Sequence, residues 1–119
     1  MTTSPPILVL VQDLFFRAKI EATARAGGWP VWCVHDVASL PNDVACRACL
    51  IDLESAGVDA LARLPGIAAR VPTIAFASHG RIDLLEAARA AGCREALPRS
   101  RLAAELARVL GSLAAGGDP

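Results

Sequence analysis

The sequence predicts a three-layer α/β/α domain on a doubly wound, five-stranded parallel sheet with strand order 2-1-3-4-5. Three observations predict it. Short apolar runs alternate with amphipathic stretches along the chain, in the order βαβαβαβαβα. The runs are apolar on both faces, as strands of a parallel sheet covered by helices on each side must be. The 119 residues suffice for one such core. Right-handed crossovers then restrict the topology to a doubly wound sheet, and the 2-1-3-4-5 order suits five strands in this length.

Each element has its own signal. Ile7–Gln12 is an unbroken apolar run ending in an amide, the first strand. Leu14–Ala26 is helical, with Phe16, Ile20 and Ala24 on one stripe, Asp13 placed as its N-cap and Gly27-Gly28 as its stop. Val31–Val34, entered through Pro30, is the second strand. Asp36–Leu40 is a weak helical turn closed by Pro41-Asn42. Ala48–Leu53 is the third strand, apolar until Asp52. Gly57 opens a short helix through Leu64, with Val58, Leu61 and Leu64 on one face. Thr73–Ala77 is the fourth strand, entered through Pro72. Arg81–Ala91 is a helix ended by Gly92. Arg94–Leu97 is a brief fifth strand. Leu102–Leu113 is the last helix, with Leu102, Leu106, Val109 and Leu113 inward. The expected organisation is an N-terminal extension over residues 1–6, one domain over 7–113 and a flexible tail over 114–119.

Composition excludes several classes. Hydrophobic residues make up 54% of the chain and mean hydropathy is +0.43, so the chain has the material for a packed core. Twelve basic and twelve acidic residues cancel, which argues against a general nucleic-acid binder. No run is long enough for a membrane span, and no secretory leader is visible, so a cytoplasmic protein is expected. Cys46 and Cys49 have C-x-x-C spacing. Within one extended strand, however, they would point to opposite faces, and no second pair completes a metal site. With Cys33 and Cys93 they read as ordinary buried thiols. No glycine-rich phosphate loop follows the first strand and no G-x-S-x-G elbow occurs.

The chemistry gathers where the strands end, since ligands of such sheets bind beyond the carboxyl edge. The first strand delivers Gln12 and Asp13 there. The third delivers Asp52 and Glu54, the fourth Ala77, Ser78 and His79, and the fifth Arg99. His35 and His79 sit at loop mouths, and His79 is the one on this edge.

On these residues, 7–113 resembles the receiver domain of bacterial two-component response regulators, a family of flavodoxin-like fold. "CLIDLES" is similar to the strand that ends in the phospho-accepting aspartate, at Asp52. "VPTIAFAS" is similar to the strand that ends in a switch hydroxyl. "AAGCREALPRSRLAAEL" is similar to the segment that carries a Lys-Pro step. The resemblance implies phosphoryl transfer to Asp52 with Mg²⁺ held by two adjacent acids at the end of the first strand. Those positions fall on Val11 and Gln12, with Asp13 one residue late. The switch hydroxyl falls on Ala77, with Ser78 one residue late, and the lysine place holds Arg99. A guanidinium is a flat fork suited to a carboxylate, so Arg99 is expected to be able to neutralise Asp52 directly.

The expectation is therefore a stand-alone, atypical receiver (a pseudo-receiver) that signals by binding protein, is not an enzyme and needs no cofactor. Its partner would be a sensor kinase or another signalling protein, or a second copy through the face of the fourth helix, fifth strand and fifth helix. Phe15, Leu84, Leu85, Leu97 and Leu102 are its interface candidates. No nucleic acid or membrane partner is expected. Two alternatives stay open. One is a working phospho-receiver on Asp52, with Mg²⁺ on Asp52 and Asp13 or Glu54. The other is a small-ligand-binding α/β domain using His79, Ser78 and Arg99.

Overall fold

Ile7, Leu8, Val9 and Leu10 are all buried to within 1% of their surface, so the first strand is covered on both faces. A computed structural model describes residues 5–34, 45–54 and 59–115. Its elements are β1 (Ile7–Leu10), α1 (Leu14–Gly27), β2 (Val31–Val34), β3 (Ala48–Asp52), α2 (Asp59–Arg70) and β4 (Thr73–Ala77). They continue with α3 (Ile82–Ala90), β5 (Glu95–Pro98), α4 (Arg99–Ala104) and α5 (Leu106–Ala114). The strands form one sheet in the order β2-β1-β3-β4-β5. All four pairings are parallel, with Leu10 opposite Ile51 and Asp52 opposite Phe76. The expected fold class and strand order are those observed.

The period-2 alternation of the strands divides the core into two layers. Ile7, Val9, Leu50, Ile74, Phe76 and Leu97 face α1, α4 and α5. Leu8, Leu10, Cys49, Ile51, Ala75 and Ala77 face α2 and α3. Phe16, Ile20 and Ala24 are the buried stripe of α1, as their spacing predicts. Gly28 ends that helix in the left-handed region, at φ 74°, where a residue without Cβ meets no penalty.

Several boundaries differ from expectation, each for a physical reason. β1 stops at Leu10, because the chain must leave the ladder for Asp13 to cap α1; Val11 is still fully buried and Gln12 is exposed. β3 closes at Asp52, although the Leu53 N–H still reaches the Phe76 carbonyl at 3.0 Å. α2 runs through Pro65-Gly66 to Arg70 instead of stopping at Leu64. Pro65 and Gly66 lie on its exposed side, while Leu61, Leu64, Ile67 and the following Val71 pack on the sheet, so tertiary burial outweighs the breaker. α3 is one residue shorter at each end than expected. β5 is shifted by one and ends in Pro98, which an edge strand tolerates because the ring needs no ladder partner. The expected last helix begins three residues early, at Arg99, and is broken at Glu105 into α4 and α5. The expected turn over 36–40, its closing Pro41-Asn42, His35, and the opening of α2 at Gly57 and Val58 lie outside the described residues.

Two further expectations are corrected. Leu85, Leu97 and Leu102 are 5%, 3% and 0% exposed, so they belong to the chain's own core and offer no interface; Leu84 is only half-buried. Leu85 and Leu102 face the sheet from their helices, and Leu97 faces the helical layer from β5. Cys46 precedes β3 and does not share its alternation, so the opposite-face argument fails. Cys46 packs against the same core layer as Cys49 and Cys93.

Candidate functional site

The carboxyl edge is assembled from the corners that follow β1, β3, β4 and β5. At the first corner Asp13 caps α1. Its Oδ1 accepts from the Phe15 and Phe16 N–H groups at 3.0 and 3.1 Å, satisfying two of the helix's orphan donors. At the second, Asp52 is wholly buried, and its Oδ1 accepts the Glu54 N–H at 3.0 Å. At the third, Ser78 donates both its N–H and its hydroxyl to Glu54 Oε1, at 2.6 and 2.8 Å. These bonds, the backbone one first, hold the Glu54 carboxyl below the usual glutamate range. Ala77 is fully buried and His79 is exposed.

At the fourth corner Arg99 opens α4 and turns inward. Its Nη2 donates to Asp52 Oδ2 at 2.8 Å, and its Nη1 lies 3.4 Å from Asp13 Oδ2. The guanidinium carbon stands 5.3 Å from the Phe16 ring centroid and 5.6 Å from that of Phe76, both within cation–π range. The two rings meet edge to face, 5.4 Å apart at 79°. One cation is thus shared by two carboxylates and two aromatic faces. A groove of about 450 Å³ opens beside it, lined by Asp13, Phe15, Phe16, Lys19, Arg99, Ser100 and Ala103. Phe15 is 92% exposed at its rim, and neighbouring Leu14 is 70% exposed.

Gln12, Asp13, Asp52, Glu54, Ser78 and Arg99 were all legible as edge residues. The structure brings Asp13, Asp52 and Arg99 together and pairs Glu54 with Ser78. The sequence reading missed Phe16 and Phe76 as walls of the site. The position of Phe76, one residue before the end of β4, is the signal that was available.

The residues do not fit the Mg²⁺ site that the family resemblance implies. A hard dication takes several oxygen ligands in octahedral order. Val11 supplies none. Asp13 is occupied by the helix cap and Arg99, one oxygen of Glu54 by Ser78, and the two oxygens of Asp52 by the Glu54 N–H and the guanidinium. Among the described residues no group of three His, Cys, Asp or Glu side chains is arranged to hold a metal.

No protein-family model and no curated protein sequence matches the chain. Solved structures do. A response-regulator receiver protein from Pseudoalteromonas atlantica superposes with a TM-score of 0.75 at 18% identity, over 96% of this chain and 100% of that one. The receiver domain of NtrX from Brucella abortus gives 0.73 at 23% identity, over 92% and 98%. The receiver domain of a sensor histidine kinase from Pseudomonas aeruginosa gives 0.72 at 26% identity, over 95% and 99%; that structure has a magnesium ion coordinated in its active-site cleft. The fold of this chain is that of response-regulator receiver domains.

Proposed function

We propose that this domain is an atypical receiver that acts in signal transduction by binding protein, without regular Mg²⁺-dependent phosphorylation and without enzymatic activity of its own. The observation that carries this is the bond from Arg99 Nη2 to the buried Asp52 at 2.8 Å. The carboxylate that would attack a phosphoryl group already has its charge met by a tethered cation. Phosphoryl transfer depends on cations placed to offset the charge that develops on the transferred group, and the acids of this edge are engaged elsewhere. Asp52 then serves to hold the β3, β5 and α1 corners in one arrangement.

Binding is the output that this leaves. The surface around Phe15 is the contact region we assign, because Leu14 and Phe15 expose adjacent large apolar side chains, at 70% and 92%, and Phe15 borders an open groove. The partner class is a sensor kinase or another signalling protein, or a second copy of the chain, in the cytoplasm. Among the described residues no helix is long and apolar enough to cross a membrane.

Intact-mass analysis after incubation with acetyl phosphate and Mg²⁺ tests the proposal. The expected result is an unmodified mass under conditions that phosphorylate a working receiver. A phosphoryl adduct lost in Asp52→Asn would establish the competing reading, with Asp52 as phospho-acceptor and Mg²⁺ on Asp52 and Asp13 or Glu54.

A further inference from the structure

The acids of the carboxyl edge are a poor set for a hard dication and a well-formed set for a guanidinium. A weakly hydrated guanidinium gains from carboxylate oxygens that accept its N–H groups and from aromatic ring faces near its charge. Asp52 and Asp13 supply the oxygens, at 2.8 and 3.4 Å from separate guanidinium nitrogens. Phe16 and Phe76 supply the rings, each within 6 Å of the guanidinium carbon. The inner wall is apolar: Val11 and Phe76 are fully buried, and Phe16 is 9% exposed. A strongly hydrated ammonium or Mg²⁺ would have to shed water against apolar walls, with fewer oxygens in return.

We infer that this edge is a guanidinium cage, occupied by the chain's own Arg99, in which the tethered cation pairs with Asp52. This deepens the functional reading above and rests on the same edge. It adds a ligand class: with the tether cut, the cage remains a receptor for guanidinium compounds and not for divalent metal. It also adds a means of control, because anything that draws Arg99 out uncovers a buried carboxylate.

Chemical rescue tests this. Arg99→Ala removes the atoms that ethylguanidinium would restore. The variant is expected to melt roughly 5–10 °C below the wild type, because a buried carboxylate loses its counter-cation. Ethylguanidinium chloride at tens of millimolar is expected to recover at least half of that loss. Ethylammonium chloride and magnesium chloride at matched ionic strength are expected to recover little. The double variant Asp52→Asn/Arg99→Ala is expected to show no rescue. Recovery by Mg²⁺ equal to that by ethylguanidinium would mean a masked metal site and overturn the inference, as would equal recovery by ethylammonium or no recovery in a folded variant. If Arg99→Ala does not fold, Arg99→Lys decides: it keeps the charge and loses the fork, so a melting temperature equal to wild type refutes the cage. Acetyl phosphate plays no part in these measurements. A phosphorylated wild type would end the functional reading alone, and a failed rescue would end the cage alone.

Discussion

The Arg99 guanidinium donates to Asp52 Oδ2 at 2.8 Å, joining a wholly buried carboxylate to an arginine side chain 34% exposed. The pair links residues 47 apart in sequence, from the end of β3 to the start of α4. Breaking a buried pair from one side leaves an uncompensated charge, which is the larger part of its cost. Because the arginine is partly solvated, the loss is discounted. Arg99→Met, which keeps the contact with the phenyl rings, is expected to cost about 2 kcal/mol in urea unfolding. Asp52→Asn/Arg99→Met is expected to be more stable than Arg99→Met alone, since the stranded charge is gone. Simple additivity of the two single changes would show that the residues are not coupled.

Asp13 has a structural task that can be measured apart from the site. Its Oδ1 caps α1 through the Phe15 and Phe16 N–H groups. Asp13→Ala is expected to lower stability by about 1 kcal/mol, and Asp13→Ser, which keeps the capping oxygen, by a few tenths of that. An equal loss in both would point to the weaker 3.4 Å contact with Arg99 as the dominant role.

Two helical glycines should respond to alanine with opposite signs. A Cβ on Gly27 would lie 2.5–2.7 Å from the Trp29 indole, so Gly27→Ala forces a repacking against the C-terminus of α1 and is expected to cost about 1–3 kcal/mol. Gly66, on the exposed side of α2, has no atom within 4 Å of such a Cβ. Gly66→Ala is expected to stabilise by about 0.5–1 kcal/mol through helix propensity and a stiffer unfolded chain. Thermal or urea denaturation of both variants checks the pair.

Acid should weaken the fold through Glu54. The Ser78 N–H and hydroxyl depress its folded-state pKa below the ordinary glutamate value of 4.5. A depressed carboxylate contributes stability above the unfolded pKa and loses it as the pH falls through the folded one. The urea midpoint is therefore expected to drop on acidification below pH 4.5, and Glu54→Gln is expected to flatten that limb. Glu105 adds in the same direction, held down by Arg101 first and then Arg108. A Glu54→Gln profile parallel to wild type would remove Glu54 from the account.

The thiols should react in the order of their burial. Cys49 is fully buried and its pKa is pushed far up by desolvation; desolvation also pushes Cys93 up, to about 11. Since the thiolate is the reactive form, a thiol reagent at neutral pH is expected to modify half-buried Cys33 and Cys46 slowly, Cys93 later and Cys49 only on unfolding. Early modification of Cys49, read by peptide mass mapping, would show that the layer between the sheet and α2–α3 opens readily.

Much of this molecule is written locally. The doubly apolar runs at Ile7–Leu10 and Ala48–Ile51 need two covers, and the crossovers have one hand, so sheet type and strand order follow from pattern alone. The Asp13 cap and the Gly28 stop are equally local, because each acts on backbone groups within four residues. Only the tertiary structure decided the rest. That Arg99 meets Asp52, that Phe16 and Phe76 close around it, and that Glu54 takes Ser78 depend on side chains from different corners arriving at one place. That α2 continues past Pro65 depends on which face the packed layers cover. Periodicity specifies each element's faces, whereas distances between elements come from how the layers pack.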